Sequence, residues 1–132
     1  MPRFADHAAL GAGAGLLFSL VVQDRRRSAA AASVDPLHAG VCAFAGFLGS
    51  CVPDLLEPAN RFVGPNHRGA FHSLLVLALS INGVSCHATV KTECGLERWL
   101  ADIAGAFCAG VGSHLVADLM TARGLNFAAK GF

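Results

Sequence analysis

The stretch His67-Arg68-Gly69-Ala70-Phe71-His72-Ser73 sets two imidazoles and a guanidinium at the mouth of a long apolar run. Burying such groups in hydrocarbon or a dry core costs on the order of several kcal/mol each unless they are paired or bound to metal. Further acids and histidines stand at the ends of other apolar runs: His7 before the first, Asp54 after the second, and His114 with Asp118 closing the fourth. His114 and Asp118 are four apart, which puts them on one helix face at neighbouring turns. A helical HExxH motif presents two zinc ligands at that spacing, although a hydrogen-bonded pair within the helix uses it equally well. His67 and His72 would diverge on a regular helix, but Gly69 lets the first sit in a loop while the second opens the helix, so both can converge. Arg68 carries a planar fork suited to phosphate or carboxylate, beside a helix N-terminus that attracts anions. Its structural alternative is an ion pair with Asp54 or Glu57.

Imidazoles and carboxylates together suit a divalent cation, zinc first, with manganese or iron as the other candidates. Cys51 is the one thiol near this set, so a closed structural zinc site is not indicated and an open site with a bound water is expected. The candidate ligands are His7, Asp54, His67, His72, His114 and Asp118. Asp54 and Glu57 are each candidates for ligand or general base, and Arg68 for stabilising charge on a substrate. His38 and His87 fall at the opposite end and are excluded.

The elements that must position these groups are apolar. Hydrophobic residues make up 54% of the 132-residue chain and charged residues 14%, against about 25% charged in an average soluble domain. The reading is an all-α, up-and-down bundle of about four membrane-embedded helices in one domain, residues 1–132, with the polar cluster at one end. The first helix spans residues 8–22, and its Gly11, Gly13 and Gly15 allow a neighbour to approach closely. The second runs over 36–51, with Asp35 and Pro36 as N-cap and N1 signals and Pro53 as its stop. Residues 54–69 read as a structured loop or broken helix. The third helix starts near Ala70 and reaches Leu79 or Ser85, with Asn82-Gly83 as an end signal. Cys86–Glu97 is the far turn, the fourth helix covers 97–120, and residues 121–132 are left unassigned. Short connections make successive helices antiparallel neighbours, so all six candidate ligands share one end.

Several classes are excluded. The basic residues form no stripe, which argues against nucleic-acid binding, and the early glycines lack the Gly-Lys-Ser/Thr of a phosphate loop. The five cysteines show no CxxC pair, and they read as buried thiols, with a Cys86–Cys94 disulfide as the alternative. No signal-peptide cleavage pattern follows the first run. Basic residues divide evenly between the two sides, so membrane orientation is not set.

Four landmarks in order resemble a bacterial family of membrane-bound metal-dependent hydrolases, the LexA-regulated, YdjM-like inner-membrane proteins. They are Asp6-His7 followed by Gly11, Pro53-Asp54, the block His67 to Ser73, and Ser113-His114-Leu115-Val116-Ala117-Asp118 with Thr121. The family commonly continues Pro-Asp with a second Asp and a His, as PDxDHP, whereas this chain reads Leu55-Leu56-Glu57-Pro58, so two potential ligands are absent, with Glu57 as a replacement for one. The resemblance implies an integral inner-membrane hydrolase with a metal-activated water, acting on a phosphoester or lipid-like substrate. The alternatives are a non-catalytic membrane protein whose cluster is structural or binds a protein partner, and, ranked last, an ion or proton path.

Overall fold

The computed structural model describes residues 4–26, 33–57 and 70–120. They form α1 (Phe4–Arg26), α2 (Pro36–Leu56), a 3-10 turn (Ala70–His72), α3 (Leu74–Ala88) and α4 (Gly95–Leu119), with no strand among the described residues. Three of the helices, α1, α2 and α4, are long and apolar enough to cross a membrane, at 23, 21 and 25 residues. A rise of about 1.5 Å per residue gives each of them at least the roughly 30 Å of a hydrocarbon core. The fourth, α3, is apolar but has 15 residues, or about 22 Å.

Local chemistry explains most boundaries. Asp35 caps α2 by accepting from the N–H groups of Leu37 and His38, with Pro36 at the first helical position. Ser73 caps α3 by accepting from Val76 N–H. In α1, Asp6 in the first turn and Arg25 and Arg26 in the last oppose the ends of the helix dipole. That helix starts earlier than expected, so His7 lies inside its first turns.

Three expected helix boundaries differ in the structure. Pro53 does not end α2, which continues to Leu56, where Glu57 N–H donates to the Pro53 carbonyl at 3.0 Å. A proline only biases its predecessor away from helical geometry, and membrane helices tolerate it where neighbouring helices support the backbone. Such support is present one turn earlier, where a Cβ on Gly49 would lie 2.2 Å from the Phe107 carbonyl oxygen of α4. Asn82-Gly83 does not end α3 either. Gly83 faces α4, where a Cβ would meet Cys108 Sγ at 2.6 Å, and the helix runs on to Ala88. At the far turn, α4 already begins at Gly95. Cys86 and Cys94 are both free thiols.

Packing departs from simple neighbour order. The three long helices pack against one another, while α3 leans chiefly on α4 instead of on its chain neighbour α2. Phe18, Val22, Cys42, Ala45 and Ala106 form the core where the three meet. Leu17, Phe44, Leu79 and Leu100 face outward, as the lipid contacts of a membrane bundle do. Backbone contact at Gly46 governs the spacing: its own Cβ would lie 2.3 Å from the Gly11 carbonyl oxygen, and one on Gly110 would lie 2.0 Å from the Gly46 carbonyl oxygen. Gly110→Ala should therefore force α4 off α2 and cost at least about 1–3 kcal/mol, the usual range for overpacking. Thermal unfolding in detergent checks this, with Gly13→Ala as the silent control because nothing lies within 4 Å of that position.

Candidate metal centre

Five of the six candidate ligands converge, each from a separate helical position: His7 on the first turns of α1, Asp54 on the last turn of α2, His72 in the 3-10 turn, and His114 and Asp118 on the last turns of α4. His67 and Arg68 lie outside the described residues. The tightest group is Asp54, His72 and His114, whose ligand atoms all lie within 4.8 Å of one another. His72 Nε2 is 3.3 Å from His114 Nε2 and 3.4 Å from Asp54 Oδ1, and His114 Nε2 is 3.7 Å from the same oxygen. Ligands held tetrahedrally about 2.0–2.1 Å from a zinc ion stand about 3.3–3.4 Å apart, so this triangle is nearly of ligand size. Asp118 Oδ2 approaches the same two nitrogens at 3.6 and 3.5 Å. Its other oxygen is 3.9 Å from His7 Nε2, and the His7 ring stacks on His114 at 4.0 Å between centroids.

The surroundings orient the donors. Glu57 caps α2 and accepts from His72 Nδ1 at 2.9 Å and from Phe71 N–H at 3.1 Å. With Nδ1–H given to Glu57, the neutral His72 ring turns a bare Nε2 towards Asp54 and His114. Carboxylates behind metal-bound histidines act in this way. Burial disfavours the charged form of His72, but the carboxylates of Asp54, Glu57 and Asp118 outweigh it and raise its pKa above the ordinary histidine value. His72 and His114 are fully buried, whereas the Asp54 side chain is 38% exposed, which leaves the carboxylate side of the triangle open. His7 and His114 each keep a buried Nδ1 with no hydrogen-bond partner among the described residues.

Residues 1–129 match the family model described as YdjM inner membrane protein. The chain belongs to the YdjM inner membrane protein family. It is accordingly an integral inner-membrane protein, in keeping with its three membrane-crossing helices. No curated protein and no solved structure matches it.

A second polar cluster in this YdjM-family chain lies at the other end of the bundle and was missed by sequence reasoning. Asp102, buried on α4, accepts both arms of the Arg26 guanidinium, at 2.5 and 2.8 Å, and the His38 Nε2–H at 2.9 Å. The other His38 nitrogen, Nδ1, is 2.7 Å from Ser19 Oγ, which in turn accepts from Gln23 at 2.9 Å. Gln23 Oε1 accepts the Asp35 N–H at 2.7 Å. Serine, histidine and aspartate thus lie in a row, but Ser19 is fully buried, so its hydroxyl works as a link between α1 and α2 and not as a nucleophile. The available signal was Asp102 itself, an acid inside an apolar helix that needs a partner. Removing one member of a buried, hydrogen-bonded ion pair costs about 3–5 kcal/mol. Asp102→Ala should lose stability of that order in detergent unfolding.

Proposed function

We propose that this protein is a membrane-embedded, metal-dependent hydrolase of a phosphoester or similar lipid-borne bond. The observation that carries the reading is the triangle of Asp54, His72 and His114, three donors at nearly ligand-to-ligand spacing with Glu57 behind one of them. Two imidazoles and a carboxylate favour zinc and leave a further position open for water or substrate. Asp54, His72 and His114 would hold the ion, with Asp118 and His7 completing the donor set. When bound, such an ion polarises a phosphoryl oxygen and lowers the pKa of water towards neutrality.

The chain's own groups supply the rest. Glu57 fixes the His72 ring, and α4 carries His114 and Asp118 on one face. Asp54, the most exposed of the three, borders the side from which substrate enters. Arg68 meets the substrate anion with its planar fork and stabilises the charge that develops there.

A second reading, a polar cluster that is structural or binds a protein partner, draws on Leu55-Leu56-Glu57, where the family pattern would carry an additional Asp and His. Metal content separates the two. Protein purified gently in detergent should hold about one zinc, manganese or iron per chain, and His114→Ala should abolish it. Glu57→Gln should weaken binding by about 10- to 100-fold, the usual effect of losing a group that orients a ligand. Folded protein without metal, and without uptake on titration, would favour the structural reading. Arg68→Ala should lower hydrolysis of a lipid phosphoester far more than it lowers the unfolding temperature. Arg68→Lys should restore little, because a point charge lacks the fork.

A further inference from the structure

We propose that a groove on the far half of the bundle, between α1 and α3, is a binding site for one anionic phospholipid, separate from the candidate metal centre. Because α3 leans on α4, it leaves a cavity of about 430 Å³ walled by α1 and α3 and floored by Ala109 of α4. Its walls are hydrocarbon over most of their length, with Leu17 and Val21 on one side and Val84 and Ala88 on the other. Polar groups gather at the C-terminal end of both walls: Arg25 on α1, and Ser85 with Thr89 just past it on α3. Among the described residues, no acid lines the cavity. Asp24 borders an adjoining cavity that Arg25 also lines.

Charge complementarity selects the occupant. Arg26 is committed to Asp102, whereas Arg25 is exposed and has no ion pair or hydrogen bond among the described residues. A guanidinium at the membrane-water boundary of an apolar slot calls for an anion joined to hydrocarbon, and it takes phosphate oxygens in its fork. The Ser85 hydroxyl adds a donor beside it. The acyl chain lies along Leu17, Val21, Val84 and Ala88, where its burial between helices replaces contact with neighbouring lipids.

Native mass spectrometry of the full chain in detergent tests this, with phosphatidylglycerol, phosphatidylcholine of the same acyl chains, and inorganic phosphate added separately. The expected result is one retained phosphatidylglycerol per chain, with phosphatidylcholine held at least tenfold more weakly and inorganic phosphate not retained. Arg25→Gln should reduce phosphatidylglycerol retention about tenfold, and Ala88→Phe, which fills the slot, should abolish it at an unfolding temperature close to that of the unaltered protein. If Ala88→Phe unfolds, Val21→Ser on the opposite, exposed wall replaces it, with weakened retention expected. Equal retention of both lipids unaffected by Arg25→Gln, retention of inorganic phosphate alone, or a dimer that Arg25→Gln dissociates would each overturn the proposal.

Discussion

The close approach of three backbones at Gly46 is the constraint on which the site depends. With no side chain there, α2 lies against α1 at Gly11 and against α4 at Gly110. His7 is one turn from Gly11, His114 one turn from Gly110, and Asp54 about two turns beyond Gly46, all towards the same end of the bundle. An imidazole or carboxylate reaches only a few ångströms from its helix axis, so ligands on three helices can meet only where the helices themselves nearly touch. In hydrocarbon no hydrophobic force drives helices together, and contact comes from packing of small residues and from polar links. The glycines supply the first of these, and the Arg26–Asp102–His38 network supplies the second at the other end.

The two polar ends solve the burial problem differently. At the Asp102 end donors and acceptors match: both guanidinium arms, an imidazole N–H, a hydroxyl and an amide each meet a partner. The network is closed and holds the helices. At the His72 end two imidazole nitrogens face each other at 3.3 Å with a carboxylate oxygen against both. One proton can bridge a pair of those three atoms, but not all of them at once. Two imidazoles and a carboxylate around a common point can also be satisfied by a cation, and the proposed metal site rests on that arrangement.

Much of this was legible in the sequence, because the cost of burying charge is read directly from residue type and position. His7, Asp54, His114 and Asp118 stood at the ends of apolar runs, and alternating chain direction was enough to bring them to one end. What failed was local. Pro53 marked a helix end by its own geometry, yet the packing of Gly49 on Phe107 carried the helix through it and put Asp54 on a rigid turn. Asn82-Gly83 looked like a terminus when Gly83 is a contact point for Cys108. His38 was set aside for lying far from the candidate ligands, which was correct about distance but left Asp102 and Arg26 without an account. Short sequence signals report backbone preference, and tertiary contact outweighs preference wherever two helices touch.

Geometry accounts for the departure from the PDxDHP pattern. Because α2 continues through Pro53, Leu55 and Leu56 lie on its outer side, 75% and 51% exposed, and point away from the triangle that Asp54 joins. The usual histidine position carries Glu57, which is not idle: it caps the helix and accepts from His72 Nδ1. A histidine there would add a candidate donor; a glutamate in contact with His72 instead orients a candidate donor of the triangle. Relative to that pattern, the substitution therefore removes one candidate nitrogen and orients another. Under the proposed metal-dependent reading, that exchange suits one ion held by Asp54, His72 and His114, and the contact of Glu57 with His72 keeps this donor set compact although the chain lacks the pattern's second acid and histidine.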